Sequence, residues 1–154
     1  MKYKYIIWMF FLLSCNKEKQ TNFQVTLTNK TNQLIKVYFY NSGLTIATDS
    51  INLLSNIPFL FADGYFRGIV TIPQFIPKYS ASDSIVVVFN NFYRVNHNSG
   101  NIANTSTKFY PRFSTRNVRN PASYIFTSKV TTKNSLFNEH FYEFTEADYQ
   151  FARE

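Results

Sequence analysis

Phe23-Gln24-Val25-Thr26-Leu27-Thr28 alternates apolar and polar residues without a break, which puts Phe23, Val25 and Leu27 on one face of an extended chain. A period of two marks a strand with one buried side. The same pattern returns at Leu34 to Tyr40, where Ile35, Val37 and Phe39 share a face. Between them Asn29-Lys30-Thr31-Asn32 is turn chemistry. The two segments therefore predict a hairpin with a short polar loop.

Working outward, the chain keeps supplying strands. Leu44 to Leu60 predicts one or two short ones, broken near Asp49-Ser50 and Asn56, and Tyr65 to Ile72 predicts another after the turn signal Asp63-Gly64. Ser84 to Asn90 carries Ile85-Val86-Val87-Val88-Phe89, a β-branched run that predicts a central strand covered on both sides. Gln74 to Asp83 and the Asn- and Ser-rich Asn91 to Thr107 predict loops. Ser123 to Val130 and Leu136 to Phe144 predict a last strand pair.

Then the period changes. Thr145-Glu146-Ala147-Asp148 has the spacing of a capping box, and Phe144 and Tyr149 have that of a hydrophobic staple. They predict a short helix over Glu146 to Arg153. Two turns are unstable alone, so Tyr149 and Phe151 or Ala152 must dock on the sheet. The expected fold is all-β: a single antiparallel β-sandwich with a short carboxy-terminal helix, a small barrel being the alternative.

Composition agrees. Of 154 residues 19% are aromatic, and the net charge is +7. A single cysteine, Cys15, excludes an internal disulfide and demands another explanation in an exported chain.

The amino terminus supplies one. Lys2 and Lys4 precede the apolar run Ile6 to Leu13, and Ser14 precedes Cys15. This is the order of a secretory signal. Eight helical residues reach roughly 12 Å, short of the roughly 30 Å hydrocarbon core, so the run does not span a membrane as a helix. Leu12-Leu13-Ser14-Cys15 resembles the lipobox of bacterial lipoproteins, although Leu13 is bulkier than the residue usual at that place. The resemblance implies removal of residues 1–14 and lipidation of Cys15. It implies a chain anchored to the membrane in the bacterial cell envelope, facing either the periplasm or the outside.

Residues 15–22 then read as the lipidated cysteine and a flexible tether, and 23–154 as one β-rich domain. Lys17-Glu18 is a partial match to the surface-export signal of Bacteroidota lipoproteins. Asp83 to Phe89 and Tyr142 to Tyr149 also look like small lipoproteins of that group, which implies location and brings no activity. Without Lys2 and Lys4 the chain carries 14 basic against 9 acidic side chains, a surplus of five that speaks to solubility and anionic partners.

Chemistry-bearing residues are sparse. His97 and His140 read as ordinary surface histidines with no ligand spacing for a metal. Neither a nucleophile elbow nor a phosphate loop is present, so no cofactor is expected. Lys108, Arg112, Arg116, Arg119, Lys129 and Lys133 run without an intervening acid, with Phe109, Tyr110, Phe113 and Tyr124 between them. Arg112, Arg116, Arg119 and Lys129 are thus candidates for holding an anionic ligand. In the competing reading the aromatics are core and the arginines pair with Glu139, Glu143, Glu146, Asp148 or Glu154.

The expectation is a non-enzymatic binding or structural module for a glycan, an anionic polymer or an envelope protein. Nucleic acid is disfavoured by the compartment. The alternative is an envelope hydrolase or glycan-processing accessory protein using Asp83, His97 or Glu139.

Overall fold

The computed structural model describes residues 19–41, 46–68, 82–98 and 108–154. Residues 1–18, with the expected signal and Cys15, lie outside them. Nine strands are found among the described residues: β1 Gln20–Asn29, β2 Ile35–Asn41, β3 Asp49–Leu53, β4 Phe59–Arg67, β5 Ser82–Phe89, β6 Tyr93–Asn98, β7 Lys108–Tyr110, β8 Ile125–Thr132 and β9 Ser135–Phe144. Helix α1, Glu146–Arg153, follows. The first sheet has the order β4-β1-β9-β8 and the second β3-β2-β5-β6-β7.

The two sheets pack face to face around one core. Phe23, Val25, Leu27, Tyr142 and Phe144 come from the first sheet; Ile35, Val37, Phe39, Ile85, Val87, Phe89 and Val95 come from the second. Phe39 stacks on Phe61 across the interface at 5.7 Å. This is the expected β-sandwich, and the described residues form no closed barrel. The sheets are mixed rather than wholly antiparallel, since β1–β9 and β6–β7 run parallel.

Four expectations need correction. The segments Phe23–Thr28 and Leu34–Tyr40 do not form a hairpin; they are β1 and β2, in opposite sheets. The corner between them is made by Asn29, whose side chain is fully buried. Its amide donates to the carbonyls of Gln33 (2.7 Å) and Leu53 (3.0 Å), and its oxygen accepts from the Thr31 N–H and hydroxyl. The apolar faces of the two strands thus meet across the core instead of lying side by side.

Asp63-Gly64 is not a turn. Both residues lie inside β4, with Gly64 opposite Phe23. A Cβ there would sit 2.9 Å from Phe23 Cε1, so the glycine makes room for a ring. Residues 69–72 of the expected strand lie outside the described residues.

The first part of the expected Asn91–Thr107 loop is β6. Asn90 and Asn91 take positive φ (51° and 60°), and the Phe92 N–H closes the turn on the Phe89 carbonyl at 3.0 Å. Such a turn suits a right-twisted hairpin. Val95 and His97 then alternate inward. Finally, β1 begins at Gln20, so Gln20–Asn22 belong to the domain and not to a tether; Thr21 is fully buried.

β3 begins at Asp49, where a break between strands was expected, and the short β7 has no counterpart among the strands expected from sequence. The central strand, the last strand pair and the helix follow expectation. β5 lies in the middle of its sheet, with Val88 buried on the face away from the core and Val86 half-buried. β8 and β9 pair antiparallel. In α1 the Thr145 N–H donates to Asp148 Oδ2 at 2.7 Å, the acid half of the capping box. Tyr149 packs on Phe89 and Tyr93, and Phe151 stacks on Tyr110 at 4.8 Å.

Candidate functional site

The basic segment after β7 was the leading site from sequence. Its backbone is organised by Asn117, fully buried, whose amide donates to the carbonyls of Tyr110 and Pro111. This arrangement turns Arg116 inward. Arg116 Nε donates to Asp148 Oδ1 at 2.9 Å, and Nη2 pairs with Oδ2 of the same carboxylate. Nη2 also reaches the Glu143 carbonyl at 3.0 Å, and the guanidinium lies over the Tyr142 ring. The Tyr110 hydroxyl donates to Asp148 Oδ1 at 3.0 Å. Tyr142 donates to the Arg116 carbonyl and Tyr124 to that of Val118.

The electrostatics of this cluster are those of a lock. Burial alone would lower the Arg116 pKa, but the Asp148 carboxylate together with the Tyr142 and Tyr110 phenols raises it on balance. Burial and the same carboxylate hold the Tyr110 and Tyr142 phenols well above their ordinary values. Arg116 stays charged and the two phenols stay neutral at neutral pH, and the polar atoms of the cluster are spent on one another.

Both histidines are buried, against the expectation of surface positions: His97 is 1% exposed and His140 2%. His97 sits on the core face of β6, and its Nδ1 accepts from the Val118 N–H at 3.0 Å, so Nε2 carries the proton. Burial lowers its pKa to about 3. Burial likewise lowers that of His140, whose ring stacks on Phe126 and whose Nδ1 has no hydrogen-bond partner.

The four candidate anion-holding residues do not converge. Arg116 is committed to Asp148, which bears out the competing reading for that residue. Arg112 is exposed beside the Phe113 ring, and Arg119 is half-buried with its N–H bonded to the Asn117 side chain. Lys129 lies on β8 opposite Phe137, whereas Arg116 meets β9 at Glu143; along the strand that is roughly 20 Å. Nor can His97 and Glu139 share a reacting centre. His97 faces the core from the second sheet, while Glu139 points outward from the first. Asp83 lies in β5. Among the described residues no three His, Cys, Asp or Glu side chains form a group able to hold a metal.

What the sequence did not single out is the outer face of the first sheet. The pairing registers place Leu60, Thr26, Phe141 and Ile125 in one row across all four strands. Leu60 and Ile125 are more than half exposed, as is Tyr65, two rows further along the same face in a row that continues through Asn22 to Phe137, with the polar row Asp63, Gln24, Glu139 and Thr127 between them. The available signal was in β9, where the buried residues Asn138, His140, Tyr142 and Phe144 alternate with a second, partly apolar set, Phe137 and Phe141. Comparison with known protein families, with curated proteins and with solved structures finds no match.

Proposed function

We propose that this chain is a lipid-anchored, non-enzymatic binding module of the bacterial cell envelope, working through the outer face of its first sheet. The location rests on Leu12-Leu13-Ser14-Cys15. The observation that carries the binding role is how the side chains are divided. His97, Tyr110, Arg116 and Asp148 are spent inside the molecule, while Leu60, Tyr65 and Ile125 stand in solvent on a rigid sheet. Apolar side chains projecting from strands offer flat surfaces to the carbon faces of a glycan or to an envelope protein.

Two experiments test the two halves. Fatty-acid labelling in cells should be lost in Cys15→Ala; labelling that persists refutes the anchor. Pull-down of envelope polysaccharide should weaken in Tyr65→Ser with Ile125→Ser and not in Arg112→Ala; the reverse result assigns binding elsewhere.

A further inference from the structure

Strand β8 closes the first sheet on one side, and among the described residues its one partner is β9. All eight of its residues, Ile125-Phe126-Thr127-Ser128-Lys129-Val130-Thr131-Thr132, are exposed. They are β-branched or aromatic apart from Ser128 and Lys129, with no Pro or Gly. An edge of this kind is a template for another strand.

The other edges among the described residues are blunted. β4 has a register shift beside Phe61 and carries Asp63 and Gly64. β3 is five residues long and begins at Asp49, and β7 is three residues long. Among the described strands β8 has the longest run of exposed residues, and its own register shift, at Thr131, lies outside the segment from Phe126 to Val130.

The sequence of β8 fits itself. If two copies meet antiparallel with Ser128 facing Ser128, the residue numbers of each pair sum to the same value. Phe126 then faces Val130 of the second copy, and Val130 faces its Phe126. These side chains lie on the same side of the sheet, because they pair with His140 and Leu136 on β9. Phe126 is 40% exposed and Val130 69%, so the pairing covers apolar surface that a lone copy leaves in water.

On the opposite side the same register brings Lys129 of one copy against Thr127 of the other. Thr127 is flanked on its far side by Glu139. Lysine and glutamate then stand two strand spacings apart, roughly 10 Å between backbones, with only a threonine between them. Their side chains bridge that gap, and the two-fold axis makes the ion pair twice. The two lysines do not face each other.

We propose that β8 pairs antiparallel with β8 of a second copy of this chain about Ser128, joining two four-stranded sheets into one of eight. The dimer is isologous, the same patch serving both partners. It does not depend on the lipid anchor, and it doubles the outer face described above.

The test is cysteine cross-linking of the full chain in cell membranes with an added oxidant. The parent chain, whose one cysteine is Cys15, sets the background. Ser128→Cys should form a disulfide dimer roughly tenfold or more faster than Asn52→Cys, a control on exposed β3, because paired strands hold thiols at high effective concentration. Val130→Cys alone should not exceed the control, but mixed with Phe126→Cys it should. Lys129→Glu in the Ser128→Cys background should weaken the cross-link, and adding Glu139→Lys should restore it. Cross-linking of Ser128→Cys no stronger than the Asn52→Cys control overturns the proposal. So does a yield unaffected by Lys129→Glu.

Discussion

Arg116 and Asp148 form a two-pronged ion pair in which the carboxylate is 2% exposed and the guanidinium side chain 35%. The pair joins the segment after β7 to the first turn of α1. Both members also bond to other groups: Arg116 to the Glu143 carbonyl, Asp148 to Tyr110 and the Thr145 N–H.

Removing the cation leaves a buried charge without its partner. Arg116→Ala should therefore destabilise the fold by about 3 kcal/mol. Arg112→Ala, with an exposed side chain, should change stability by less than about 0.5 kcal/mol. Urea unfolding of the two variants side by side measures the difference. Equal midpoints would show that the pair is idle.

Gly64 and Phe23 are matched in volume. Gly64→Ala should cost about 1–3 kcal/mol, because the new methyl meets Phe23 Cε1 at 2.9 Å and the ring is held by Phe66, stacked at 4.9 Å. Phe23→Leu in the same chain should recover part of the loss. A double variant no more stable than Gly64→Ala would point to backbone strain instead.

The Asn29 corner should be sensitive for a different reason. Asn29→Ala abandons the buried Leu53 carbonyl and the buried Thr31 N–H, and an unpaired buried polar group costs about 1–3 kcal/mol. Thermal unfolding should shift clearly downward. Asn29→Asp keeps the acceptor but loses both donors, so it should also fall below wild type.

His97 makes stability depend on pH. The unfolded chain binds a proton near pH 6.5, while the folded chain refuses it until about pH 3. Between those limits unfolding takes up a proton, so stability falls as the pH falls, by about 1.4 kcal/mol per pH unit. His140, also lowered by burial, acts in the same direction below its ordinary pKa. Urea midpoints from pH 7 to pH 4 should show a shallower slope in His97→Gln than in wild type. Identical slopes would remove His97 from the account.

Local signals in the chain decide the structure where the structure is itself local. The helix Glu146–Arg153 follows from a capping box and a change of period, and the β8–β9 pair from two apolar runs around a short turn. Failures came where a distant contact decided the outcome. Asp63-Gly64 has turn composition, yet β1 pairs along it and Phe23 needs the space above Gly64. Asn96 and Asn98 disguised β6, whose inward residues Val95 and His97 already alternated. The histidines looked exposed because nothing near them in sequence reveals the Val118 N–H or the Phe126 ring that they meet.

By itself, then, the sequence determined the strand-rich class and the helix, because alternation, caps and turn residues act over a few neighbours. Only tertiary structure decided that β1 and β2 part at Asn29 into opposite sheets and that β1 runs parallel to β9. It also decided that Arg116 turns inward to Asp148 rather than outward to a ligand, and that β8 stands at the end of its sheet with β9 as its one partner among the described residues. Those outcomes depend on which apolar faces meet and which buried polar atoms find partners, and both are settled between residues far apart in the chain.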